Sequence, residues 1–157
     1  MKPVYRGAAL MALQCLLVLA VAGKFAWDRD RLPRAWTSAT PVDPNLPIRG
    51  RYVVLQLRVE PAAGNDSWPT ARLAAENGRL AAHPVASGGV PVWRRSPQVW
   101  VLAEPVAYFI PEHAADPSRV GPGEELWAEV SVPPSGPPRP VRLGIKKDGA
   151  IRPLDLQ

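Results

Sequence analysis

From Gly7 to Gly23 the chain reads GAALMALQCLLVLAVAG, and only Gln14 interrupts the apolar run. No other stretch limits the fold as sharply. Extended to Trp27 it takes in one charge, Lys24. Residues 7–27 wound as a helix span about 31 Å at about 1.5 Å per residue, close to the hydrocarbon thickness of a bilayer. Tyr5 and Trp27 bracket the run, where aromatic rings favour the interface, and Lys24 can snorkel outward. The reading is a short tail over 1–6 and a transmembrane helix over 7–27 serving as a signal anchor, with the lipid bilayer as its first partner. The alternative is a cleaved signal peptide. Lys2 and Arg6 give it a basic start, and Ala20-Val21-Ala22 fits a small-residue cleavage site near Gly23. Cys15 lies mid-run behind Gln14, a poor setting for lipidation, and reads as a small apolar residue.

Charge follows the same division. Residues 1–34 carry six basic and two acidic side chains, whereas residues 35–157 carry 13 and 12. A nucleic-acid binder concentrates positive charge on its folded part, because phosphate neutralisation supplies most of the affinity. Nucleic acid is therefore not an expected partner. Basic residues flank both ends of the apolar run, so the positive-inside rule does not set its orientation. One cysteine and two histidines are too few for a disulfide scaffold or a Cys/His zinc site, and no cofactor is expected.

Beyond the helix, 20 prolines and 12 glycines in 157 residues disfavour long helices and favour short strands joined by turns. Residues 28–40 hold Pro33 and several charges. They read as a juxtamembrane linker or a short first strand, with a β domain over 41–157. In Arg51–Glu60 the residues Val53, Leu55, Leu57 and Val59 share one face, the period-two mark of a half-buried strand. Asn77-Gly78 between two short runs predicts a hairpin, because a type I′ turn needs positive φ at both positions. Asp148-Gly149 predicts a second. Gln98–Ala103, Val106–Ile110 and Leu126–Val132 add strands, and the run PPSGPPRP over 133–140 an extended connection. About seven strands and no soluble helix imply a mainly β protein, an antiparallel sandwich or a partly open barrel behind one N-terminal helix.

The segment Pro41–Leu57, PVDPNLPIRGRYVVLQL, carries a resemblance. Its Gly-x-Tyr-Val-x-Leu resembles the stretch that names the GDYxxLxY family of membrane-anchored proteins. Gly50, Tyr52 and Leu55 match; Arg51 stands where that family has its aspartate, and Leu57 where it has a second tyrosine. Tyr108–Glu112 is similar to the family's aromatic-hydrophobic-Pro-Glu segment, and Lys147-Asp148-Gly149 to its closing hairpin. The resemblance implies a short anchor, a small β domain on the extracytoplasmic side of the cell (inner) membrane, and association with a multi-spanning membrane protein. It implies no biochemical activity. Taken as residues, Asp43 before Pro44 suits an Asx turn, and Gly50 suits a bulged start to a strand. Arg49 is placed to pair with Asp43 or Glu112, and Tyr52 faces away from Val53 and Leu55. These six, Asp43, Arg49, Gly50, Tyr52, Leu55 and Glu112, form the candidate binding set.

Catalytic patterns are not legible. His83 and His113 adjoin no nucleophile signature and read as surface histidines. The strand start also resembles that of membrane-anchored signal peptidases. Ser38 lacks their neighbouring residues, though, and Lys146 and Lys147 sit near a turn, where a lysine is not desolvated into a base. Glu124 and Glu125 are adjacent, so on a strand they point to opposite faces. Gly88-Gly89 lacks the lysine and helix of a phosphate loop. Trp27 and Trp36 read as membrane-flanking. Trp100 and Trp127 read as core, and Trp68 and Trp93 as possible interface anchors. The expectation is a non-enzymatic envelope protein that binds or supports another membrane protein. The alternative is a secreted or tethered β domain that binds a small ligand or a glycan, and an envelope hydrolase ranks last.

Overall fold

The computed structural model describes residues 3–42, 52–62, 69–111, 114, 116–117 and 119–156. It divides into two compact units, Met1–Leu32 and Pro33–Gln157. The first is a single helix, α1, Pro3–Arg31. Proline suits its first position, where the missing N–H is an orphan in any helix. Within α1 the stretch Gly7–Trp27 is apolar and long enough to cross a membrane, and none of it is buried inside the protein. The guanidinium of Arg31 lies 3.8 Å from the centroid of the Trp27 ring.

Residues 28–40 are not a linker. Helix α1 runs on to Arg31, and β1, Arg34–Val42, is the first strand of the β unit. Only Leu32 and Pro33 stand between them. Ala35, Thr37 and Ala39 point inward and are buried. Three small residues carry little hydrophobic signal, and this is why alternation in β1 is faint in the sequence. Trp36, read as membrane-flanking, belongs to the β unit.

Nine further strands follow: β2 Tyr52–Pro61, β3 Thr70–Glu76, β4 Arg79–Pro84, β5 Val90–Ser96, β6 Val99–Leu102, β7 Val106–Phe109, β8 Glu125–Ser131, β9 Arg139–Lys147 and β10 Ala150–Pro153. Six of them close a barrel in the ring β1, β2, β6, β5, β3, β4. Closure removes the free edges that a partly open barrel would leave. Most neighbours are antiparallel, but β4 lies parallel to both β1 and β2. The parallel β1–β4 contact pairs Trp36 with Arg79, and the Trp36 N–H donates to the Gly78 carbonyl at 2.8 Å. Strands β8, β9 and β10 extend the sheet from the other edge of β1, and β7 adds to β2.

The interior is filled by alternate residues: Val53, Leu55, Leu57 and Val59 from β2, Leu73 and Leu80 from the β3–β4 hairpin, Trp100 and Leu102 from β6, Leu126 and Val130 from β8. A six-stranded barrel is narrow enough for side chains alone to fill it. Both expected hairpins form. Asn77 and Gly78 have φ of 49° and 74°, and Asp148 and Gly149 have 50° and 84°.

Candidate functional site

Of the residues singled out in the sequence, the structure describes Tyr52, Leu55 and Trp93. Asp43, Arg49, Gly50, Trp68 and Glu112 lie outside the described residues. Leu55 is fully buried in the barrel core, so its part in the motif is packing. Tyr52 is half-buried on the outer face and stacks at 6.1 Å, tilted by 53°, on Phe109 of β7. Phe109 itself is 76 % exposed, and Trp93 on β5 is 57 % exposed. Both are large aromatics facing outward, a type enriched where proteins meet. Tyr52 and Leu55 belong to opposite faces of one strand, and so the motif is not one continuous surface.

A second constellation, invisible as a motif, lies where β1 and β2 part. Their ladder runs from Val42↔Val54 to Ala39↔Leu57. Beyond it the two strands diverge, and β4 enters between them, pairing with β1 at Trp36↔Arg79 and with β2 at Glu60↔Ala81. The fork leaves a cleft of roughly 350 Å³ lined by Thr37, Ser38, Arg58, Glu60, Arg79, Glu125, Trp127 and Lys146. At its apex the Thr37 hydroxyl donates to the carbonyl of Arg58, capping one backbone acceptor that the broken ladder leaves over.

Trp127 organises the cleft. Leu126, Ala128 and Val130 of β8 face the barrel core, so Trp127 is on the outer face. It is nonetheless buried, as read from its sequence, but beneath two cations and not among the interior side chains. The guanidinium of Arg79 lies 4.4 Å from the ring centroid and the ammonium of Lys146 lies 4.8 Å from it. The indole N–H donates to Glu125 at 3.1 Å. Lys146 and Glu125 are direct cross-strand partners, yet each is held by the tryptophan and not by the other. Arg58 donates to the carbonyl of Gln98, in the turn before β6, at 3.3 Å.

Next to the cleft on the same face is a closed arrangement. Glu129 is buried, receives the Arg142 Nε–H at 2.6 Å and has Arg34 at 3.9 Å. Arg142 also lies over Trp36 at 5.6 Å. Further away, Glu76 and His83 face each other at 2.6 Å across the β3–β4 hairpin, both exposed, in keeping with a surface histidine. Glu124 accepts the Gly121 N–H at 3.1 Å and pairs with Lys147 at 3.2 Å. These two contacts, the backbone one foremost, hold its carboxyl below the usual carboxylate range. Among the described residues no group of three or more His, Cys, Asp or Glu side chains is placed to hold a metal ion.

The sequence names Lys146 and Glu125 only to set them aside as catalytic groups, and nothing in it brings the five charged residues of the cleft together. Alternation does place Arg58 and Glu60 on the outward face of β2. Their meeting with Arg79 and Lys146 depends on the parallel insertion of β4, a long-range pairing with no local signal. No protein-family model matches the chain, and neither a curated protein nor a solved structure with significant similarity to it is found.

Proposed function

We propose that this chain is a single-pass protein of the cell inner membrane whose barrel lies on the extracytoplasmic side and acts by binding, as an assembly partner of a multi-spanning membrane protein, without catalysing a reaction. The observation that carries this reading is α1. Its 21-residue apolar stretch is exposed all round, and the helix that carries it is followed, after Leu32 and Pro33, by the first strand of the barrel. A helix that is apolar on every side needs lipid or other helices around it. A short connection suits a module that works at the membrane surface. The resemblance of Pro41–Leu57 to the GDYxxLxY stretch supports the extracytoplasmic side and the multi-spanning partner. The exposed Trp93 and the Tyr52–Phe109 pair supply outward aromatic anchors for a contact.

The test is affinity purification from mild detergent after cross-linking, with a C-terminal tag and an intact mass from the same sample. The expected result is an uncleaved chain with a stoichiometric polytopic partner, lost on Trp93→Ala or Phe109→Ala while the barrel stays folded. A lone chain beginning near Gly23 overturns the reading. Sidedness is read separately. Cys15 is the sole cysteine and lies within the apolar stretch. A Ser96→Cys variant is then expected to react with a membrane-impermeant maleimide in intact cells; labelling only after lysis places the barrel inside.

A further inference from the structure

The fork cleft stands apart from that reading and needs no partner protein. Five charged side chains line it: Arg58, Arg79 and Lys146 against Glu60 and Glu125. Among the described residues none of the five forms an ion pair with another charged group. Glu129, on the same face, is closed up by two arginines at 2.6 Å and 3.9 Å. The outer face can therefore neutralise a carboxylate internally, and at the cleft it leaves both signs of charge open.

The geometry keeps them open. Trp127 holds Lys146 over its ring and Glu125 at its N–H, so the two cross-strand partners do not collapse onto each other. Arg79 is held over the same ring. Arg58 is held from the far side by the carbonyl of Gln98. The cleft is thus a preformed set of three donors and two acceptor carboxylates at a point where neighbouring strands diverge. Three cations lining one cleft can supply charge-assisted hydrogen bonds to an oxyanion, with a planar fork from each arginine. Two carboxylates beside them repel a bare anion and attract an ammonium group.

We propose that the fork cleft binds a small ligand carrying a phosphate and an amine, with the phosphate on Arg58, Arg79 and Lys146 and the ammonium against Glu60 and Glu125. The cleft's formal charge of plus one complements the net minus one of a phosphate monoester bearing one ammonium. A phosphate joined to an ammonium also makes up the head group of phosphatidylethanolamine, a phosphodiester of net charge zero, and the test separates this lipid source from soluble aminoalkyl phosphates.

The full chain labelled with ¹⁵N is placed in detergent micelles and titrated with O-phosphoethanolamine. The readout is the indole N–H resonance of Trp127, assigned from its loss in Trp127→Phe. A saturable shift below about 10 mM is expected, weakened about tenfold or more in Arg79→Gln. Inorganic phosphate and ethanolamine, each alone, are expected to bind about tenfold more weakly than the joined molecule. In Glu60→Gln the preference for the joined molecule over phosphate is expected to fall, a change that general loosening of the cleft would not produce. In nanodiscs, a shifted resonance with phosphatidylethanolamine but not phosphatidylcholine identifies the lipid as the source. A shift that needs the soluble molecule in both identifies the free ligand. No shift in micelles or nanodiscs overturns the proposal. So does binding of phosphate alone as tight as that of O-phosphoethanolamine, or an unchanged affinity in a folded Arg79→Gln.

Discussion

Trp127 points out of the barrel and is still only 6 % exposed, with the Arg79 guanidinium and the Lys146 ammonium over its ring. Trp36 solves the same problem with a glycine. A Cβ added at Gly144 would come within 2.9 Å of the Trp36 ring and 3.0 Å of the Arg152 carbonyl oxygen. A tryptophan laid over a glycine is a recognised way for sheets to cover a bare backbone. Gly144→Ala is therefore expected to cost about 1–3 kcal/mol, read as a fall in the melting temperature. Combined with Trp36→Ala the extra loss should shrink, though the carbonyl contact keeps it above zero. Glu129→Ala tests the closed ion cluster. Removing a buried carboxylate leaves Arg142 without its 2.6 Å partner, and a loss of about 1–2 kcal/mol in chemical denaturation is expected. At this scale the sequence was informative for interior positions and poor for outward ones. The alternation of Val53, Leu55, Leu57 and Val59 dictates their burial locally. What shields an outward tryptophan comes from strands far away in the chain.

At the level of elements, the β3–β4 hairpin owes its register to Asn77 and Gly78, both left-handed. Gly78→Ala puts a Cβ into that region at a cost of about 1 kcal/mol, to be seen as a lower denaturation midpoint with an unchanged slope. The start of β8 offers a pH test. Glu124 has its carboxyl pulled down by the Gly121 N–H and by Lys147. A group with a lowered folded pKa stabilises above its unfolded value and loses that contribution as pH falls through the folded one. Glu124→Gln is thus expected to lower the melting temperature at neutral pH. The gap to the wild type should close as the pH drops below the ordinary carboxylate value near 4.5. A gap that stays constant down to strong acid would rule out Glu124 as its source. Hairpins were legible because their signal is two adjacent residues. The sequence of β1 suits a linker as well as a strand, since the inward Ala35, Thr37 and Ala39 are too small to show a hydrophobic alternation. The parallel position of β4 was not legible, because nothing in a strand's own residues states which neighbour it will meet.

For the whole molecule, the division at Pro33 makes a direct prediction. A chain beginning at Pro33 keeps every strand and the entire barrel core, and it is expected to be soluble and folded without detergent. Its melting temperature should lie within a few degrees of the full chain's in micelles. The full chain is expected to resist extraction with alkaline carbonate and to come out only with detergent. Aggregation of the shorter chain would mean that α1 contributes to the stability of the barrel.

Strand β1 has three partners, antiparallel to β2 and β8 and parallel to β4. It is also the strand that follows α1 after Leu32 and Pro33. Any pull transmitted through the helix thus reaches the domain at Arg34, at the start of a strand laddered on both edges. Along that strand the ladder to β8 covers Arg34–Ser38 and the ladder to β2 takes over from Ala39. Strands β7 and β10, at the two ends of the sheet, are each laddered on one edge. The chain thus passes from its helix into a strand that cannot leave the sheet without giving up partners on both sides.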